Sequence, residues 1–488
     1  MSEQSVRALA IQPLAHEVQA DEEAEHGSHR GGNPILAEME TPWADDRFFF
    51  VDAAALAALA STIAVGSLGY NYVVGELLEK WLSAAGTRDY PSDPACIELL
   101  GGALAWIPIC WVGGTLVGIL KWALGLDTFP SFLVEIRSQH CDPKESMKVL
   151  ICCMASLLSG AALGPEAGLA AAGGGLGTLL ARSIACFGGS WAQDADSRRR
   201  LFVLGGISAA FGTMLPAPWV ALLICVECSY AKRDEDGKEM VIFGRRTLFL
   251  LGFTATCAFA VRFAVKPMEV LPLDEAKLDK LYDNTMPLKG VLLGAIAAFT
   301  VLIYAIIGAV VKRILGFVGA ALERRFGLPG RVIGLCSLAG LLTGILGYLV
   351  PLSLTDGKTA IRPTLLHASQ LTIGNLLCIA LAKTASYSVA ASGGLVGGPF
   401  FPVIYIGLVV GELAARIPGL GLFPALTVPV VMVAVPGGIM PVPFTMVAMA
   451  VSDFKVGPFW CVPILIGILT SYTLLVGSGL VKRLSGAA

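Results

Sequence analysis

A single carboxylate, Glu166, stands in one of the most apolar stretches of this chain, in the run Leu163-Gly164-Pro165-Glu166-Ala167-Gly168 that continues to Gly173-Gly174-Gly175-Leu176-Gly177. A charge in such surroundings is expensive and marks a position with a task. Gly164 and Pro165 interrupt a helix just before it, and the small residues that follow restart one. Backbone N–H groups without intrahelical acceptors then point outward beside the carboxylate. That is an arrangement able to hold a small anion at membrane depth. Glu166 therefore has three readings. It caps its own helix start, since acidic residues are favoured in a first turn; or it is an ordinary loop residue; or it is a mobile gate. As a gate it competes with an anion for the same N–H groups when ionised and leaves when protonated. On the last reading Gly164, Pro165, Ala167 and Gly168 frame the anion site.

A second helix start is written in Gly397-Gly398-Pro399-Phe400-Phe401-Pro402. Its glycines admit close backbone approach, and Phe400 and Phe401 can narrow a pore; the alternative is a plain packing joint between helices. A third start lies at Asp127-Thr128-Phe129-Pro130-Ser131. Asp127 either acts only as an N-cap or belongs to an anion-facing end, where the Thr128 and Ser131 hydroxyls donate. Lys383, inside the apolar run 370–392, either supplies positive potential to a pathway or snorkels to an interface. Glu227, at the end of its apolar run, is either a water-facing terminus or a proton way-station toward Glu166. Cys225 and Cys228 form a C-x-x-C with no second pair or nearby histidine, which favours core packing. No Ser/His/acid set and no His/Asp/Glu cluster with metal-ligand spacing is present, which argues against an intramembrane hydrolase.

These residues sit in a chain of 488 residues that is 55% hydrophobic and only 15% charged, with a mean hydropathy of +0.72. A water-soluble domain of this size does not have such a composition, so the expected class is an all-α polytopic membrane protein. The net charge of −2 gives no reason to expect nucleic acid. Apolar runs of spanning length occur near 48–78, 98–125, 147–163, 166–187, 201–229, 246–266, 288–320, 331–353, 370–392, 399–415, 422–452 and 457–480. The polar clusters Arg198–Arg200, Lys232–Lys238, Arg245–Arg246 and Glu323–Arg325 read as solvent-facing connections. Residues 1–47 read as a disordered acidic tail without the apolar core of a signal peptide.

The chain also repeats itself. Gly212-Thr213-Met214-Leu215-Pro216-Ala217-Pro218-Trp219 and Gly437-Gly438-Ile439-Met440-Pro441-Val442-Pro443-Phe444 share a pattern of Gly, three residues, then Pro-x-Pro-aromatic. A glycine-proline helix start precedes each. Two corresponding broken segments, one per half, point to a binding site at a repeat interface. The expected organisation is a first transmembrane repeat over 48–266, a loop over 267–287, and a second repeat over 288–488.

Taken in order, these motifs resemble the CLC family of chloride channels and chloride/proton antiporters. Gly164-Pro165-Glu166-Ala167-Gly168 is similar to that family's gly-x-glu-gly-pro motif, which puts its gating glutamate at Glu166. Pro399-Phe400-Phe401-Pro402 after Gly397-Gly398 is similar to the gly-x-phe-x-pro motif, which puts anion-binding N–H groups near Gly398, Phe400 and Phe401. The resemblance implies two inverted repeats whose broken helices meet at an anion pathway, a homodimer in the lipid bilayer that needs no catalytic cofactor or bound metal, and transport of chloride or a similar small anion, with or without protons. This chain departs from the pattern in several places. Asp127 stands near the usual serine, Pro165 at the usual arginine, and Ala167-Gly168 at the usual gly-pro. The family's internal proton-transfer acid would align nearer Cys228 than Glu227, and Leu484 falls near a usual tyrosine. Chloride is the expected ion; fluoride transport and a transport-inactive scaffold are the alternatives. The chain ends soon after Val481-Lys482-Arg483-Leu484, so no cytoplasmic nucleotide-binding modules are expected.

Overall fold

The computed structural model describes residues 49–477 apart from 87–88, 187–194, 230–231, 234–238, 241–243, 268–270, 272–281 and 441. The expected tail over 1–47, most of the 267–287 loop, and Leu484 lie outside the described residues. Within them the chain is nearly all helical, the exception being a two-stranded antiparallel ribbon of Lys232–Arg233 and Glu239–Met240.

Helix α1 (Phe49–Asn71) runs through a π-helical turn, Tyr72–Leu77, into α2 (Leu78–Gly86). Next come α3 (Trp106–Leu124), the short α4 (Phe132–Ser138), α5 (Pro143–Leu158), α6 (Glu166–Cys186), α7 (Ala195–Met214), α8 (Pro218–Cys228) and α9 (Arg245–Val265). The second half holds α10 (Met286–Leu349), α11 (Lys358–Leu366), α12 (Ile373–Ser392), α13 (Phe400–Ala414), α14 (Pro424–Gly437), α15 (Pro443–Phe454) and α16 (Cys461–Tyr472). Local chemistry sets many of the starts. Pro143 opens α5, and the Asp142 side chain accepts from the Lys144 N–H at 2.9 Å. Thr372 caps α12 by accepting from the Asn375 N–H at 3.1 Å.

Among the described residues seven helical stretches are long and apolar enough to cross a membrane, and four further apolar helices are shorter. The protein is an integral, multi-pass membrane protein. Several apolar runs divide differently from the sequence expectation. The run 201–229 breaks into α7 and α8 at Leu215–Ala217, and 422–452 breaks into α14 and α15 around Gly438–Val442, because a Pro-x-Pro at each place removes helix donors. The runs 288–320 and 331–353 stay separate, as two helical arms within α10 that are divided at Gly327 (φ 72°, ψ −172°), two residues before Pro329.

The polar clusters expected as solvent-facing connections fare unequally. Glu323–Arg325 is exposed just before the break between the two arms of α10, whereas Arg198–Arg200 lies in α7 and Arg245–Arg246 in the first turn of α9. Arg246 pairs with the fully buried Asp52 of α1 at 2.5 Å, and Arg198 approaches the same carboxylate at 3.5 Å. Three helices are thereby tied together by one charge cluster, which a buried carboxylate requires.

Packing around the site depends on small residues. Helices α6 and α7 meet backbone to backbone at Gly173 and Gly206, where a Cβ on either would strike the other's carbonyl. Such contact gives close van der Waals packing where lipid supplies no hydrophobic drive. Helices α13 and α14 are apolar on all sides and almost wholly buried, as expected for helices surrounded by others.

Candidate functional site

The two helix starts marked by glycine and proline meet. Gly164 donates its N–H to the Gly398 carbonyl at 2.8 Å, and Gly398 returns the bond to Gly164 at 2.9 Å. This two-residue bridge sets the N-terminus of α6 against that of α13. Across it, the Phe400 N–H donates to Glu166 Oε1 at 2.6 Å. Glu166 is entirely buried, and its Oε2 has no hydrogen-bond partner among the described residues. A buried, half-satisfied carboxylate is a costly arrangement.

The amides around it are equally informative. The first helical bond of α6 is Leu169 N–H to Pro165 O at 3.0 Å, and that of α13 is Val403 N–H to Pro399 O at 3.0 Å. The N–H groups of Ala167 and Phe401 consequently have no acceptor among the described residues, while that of Gly168 meets the Cys153 sulfur and that of Glu166 its own carboxylate, and all four residues are buried. Two helix N-termini with unused donors produce positive potential at one point. The sequence reading needs correction in detail here. Gly164 and Gly398 use their N–H groups on each other, while Pro165 and Pro399 have none to offer. These four residues shape the site, and the available donors are those of Ala167 and Phe401, with that of Phe400 held by Glu166. The glycines are required for space, because a Cβ at Gly164 or Gly398 would collide with the Glu166 carboxylate.

Side chains from other helices complete the surroundings. Tyr70 of α1 bonds the Cys153 sulfur of α5 at 3.4 Å, and that sulfur lies 4.0 Å from the Gly164 carbonyl. Ser156 Oγ accepts the Val396 N–H at 2.9 Å, steadying the strand of backbone that leads to Gly398. Tyr387 of α12 and the Asp356 and Lys358 side chains are within electrostatic reach of Glu166.

The remaining sequence candidates make different contacts. Asp127 and Thr128 are exposed, and Ser131, half-buried, has a hydroxyl without a partner among the described residues. The helix they precede, α4, has only seven residues and correspondingly little end charge. Glu227 joins the two halves of the chain. Its carboxylate accepts from the Phe444 N–H at 2.9 Å, the Thr445 N–H at 2.8 Å and the Thr445 hydroxyl at 2.5 Å. It therefore caps α15 from across the chain. Lys383 does not snorkel. It is fully buried, with its ammonium on the carbonyls of Leu354 at 2.7 Å, Thr355 at 2.8 Å and Leu352 at 3.4 Å, and 5.3 Å from the Tyr405 ring centroid. Lys358 and Asp356 escaped the sequence reading, since they lie in a polar turn that resembles any surface loop. Only the Asp-Gly-Lys succession hinted at a sharp turn before a helix.

An all-helical membrane fold with two opposed helix starts around one buried carboxylate defines an anion-transporter architecture. The family model for voltage gated chloride channels matches residues 133–475, and the chain belongs to that family. Among curated proteins none matches the sequence. Among solved structures, a slow cyanobacterial Cl-/H+ antiporter is similar with a TM-score of 0.64 and 19% identity, over 89% of this chain and 98% of that one. A CLC-type fluoride/proton antiporter has a TM-score of 0.64 and 17% identity, over 89% and 97%. A eukaryotic CLC transporter has a TM-score of 0.59 and 16% identity, over 88% and 72%. At these identities the likeness is one of fold.

Proposed function

We propose that this protein carries a small monovalent anion, chloride in the first instance, across a membrane, with Glu166 as the gate. The observation that supports this most is the Phe400 N–H holding Glu166 Oε1 at 2.6 Å, beside the buried Ala167 and Phe401 amides, which have no acceptor among the described residues. The ionised carboxylate occupies the place an anion would take. An anion reaches those donors only when Glu166 is displaced, or is protonated and swings away. Asp127, Thr128 and Ser131, at the start of α4, are a weaker third contribution. Each chain contains a whole pathway, built from one helix start in 48–266 and another in 288–488, so a homodimer would have two independent pathways. Fluoride is the second reading, supported by a fold likeness to the fluoride/proton antiporter equal to that with the chloride antiporter.

Purified protein in anion-loaded liposomes, with anion flux and internal pH recorded together, tests the assignment. We expect chloride flux that rises as pH falls, and a Glu166→Gln protein whose flux is high and indifferent to pH. Wild-type flux with wild-type pH dependence in Glu166→Gln removes Glu166 as the gate. Proton movement driven by an anion gradient identifies exchange; anion flux without it identifies a channel.

A further inference from the structure

A strained turn outside the bridge presents a cation to the gate. Thr355 has φ 57° and Gly357 φ 88°, and left-handed backbone is unfavourable for a β-branched residue unless its surroundings enforce it. Here three anchors do so. The Thr355 N–H donates to Gly160 O at 3.0 Å, the buried Lys383 ammonium holds the Leu354 and Thr355 carbonyls, and the Tyr90 hydroxyl lies 3.4 Å from both Leu354 O and Thr355 Oγ1. The turn leads into α11, and its side chains on either side of Gly357 are Asp356 and Lys358. Asp356 caps the turn, accepting from the Lys358 N–H at 3.0 Å.

Lys358 is half-buried. Its ammonium lies 5.0 Å from the centroid of the Phe401 ring and 3.3 Å from the Met214 carbonyl. Phe401 is the immediate neighbour of Phe400, whose N–H holds Glu166. The titratable groups facing Glu166 are Tyr70 from α1, Cys153 from α5, Tyr387 from α12, and Asp356 and Lys358 from this turn. In that set Lys358 carries the positive charge. Lys358 is itself faced by Arg262 and Lys266 at the end of α9, by Asp453 of α15 and by Asp356. A carboxylate leaving its amide donors while still ionised would be stranded in apolar surroundings, at a cost that forbids the movement without a new partner.

We propose that Lys358 receives the ionised Glu166 carboxylate when an incoming anion takes its place on the Phe400 N–H, so that the pathway opens without a proton on Glu166. This rests on the reading of Glu166 as the gate. Lys358 is a positioning residue: it acts on the anion through Glu166, and a protonated Glu166 has no need of it. The consequence is anion movement partly uncoupled from protons at neutral pH.

The test is anion flux in proteoliposomes from about pH 4.5 to about pH 8, which brackets carboxylate titration in and out of a buried setting. The proteins compared are wild type, Lys358→Met, Lys358→Arg, Glu166→Gln and Glu166→Gln/Lys358→Met. In Lys358→Met we expect flux at the alkaline end to fall roughly fivefold or more, the scale of a coupling between two interacting groups, and to return to wild type at the acid end. Lys358→Arg should keep the wild-type profile. In the Glu166→Gln background, Lys358→Met should have no effect. An equal loss in both backgrounds and at every pH overturns the proposal, because the lysine would then be attracting anions or holding the fold. So does wild-type behaviour of Lys358→Met. Failure of the gate reading is separate: it shows as wild-type flux and pH dependence in Glu166→Gln alone.

Discussion

Glu166 illustrates how much one residue can disclose. Its cost in an apolar run was visible from its neighbours in sequence, and the structure puts it fully buried on a backbone N–H. What the neighbours did not disclose is which amides it meets. Gly164 and Gly398 were expected as anion donors, yet each bonds the other, and their absent side chains matter more than their N–H groups. We therefore expect Gly398→Ala to destabilise the protein by roughly 1–3 kcal/mol, the usual cost of overpacking, seen as a lower melting temperature in detergent. Adding Glu166→Ala should recover most of the loss, because the added methyl then meets no carboxylate. A Gly398→Ala protein as stable as wild type, or a double variant no better than the single, would contradict this account of the bridge.

Among elements, the informative pair is α8 and α15, the two helices that follow the repeated Pro-x-Pro. Proline at their first turns was legible, and so was the acid at the end of α8. The partner of that acid was not, since Glu227 reaches the N–H groups of Phe444 and Thr445, which lie in the other half of the chain. A cap so placed ties two helices together as well as satisfying orphan donors. Glu227→Ala should lower stability by about 0.5–2 kcal/mol, the range for loss of an N-cap, measurable by thermal unfolding in detergent. Any ratio of protons to anions should stay unchanged; a changed ratio would restore Glu227 to a proton route. The division inside α10 was legible in a similar way: Gly327, whose non-helical backbone (φ 72°, ψ −172°) separates the two arms, and Pro329 lie in the gap between the apolar runs 288–320 and 331–353.

At the scale of the whole molecule, the site belongs to neither half. Helix α6 brings Glu166 and its first-turn amides from the first half, and α13 brings Phe400 and Phe401 from the second. Fragments 1–266 and 288–488 expressed alone should transport nothing, while the two expressed together should restore anion flux in liposomes to a measurable fraction of that of the intact chain; flux from either fragment alone would place the pathway elsewhere. The sequence by itself determined the membrane class, the approximate spans, the two interrupted helix starts and the lone carboxylate between them, because hydrophobic run length, helix breakers and the cost of a buried charge are properties of neighbouring residues. Only the tertiary structure decided that Glu166 bonds an amide 234 positions away, that Glu227 caps a distant helix, and that a turn held by Lys383 sets Lys358 over the Phe401 ring. Those contacts depend on how separate helices pack against each other, which no local pattern of residues specifies.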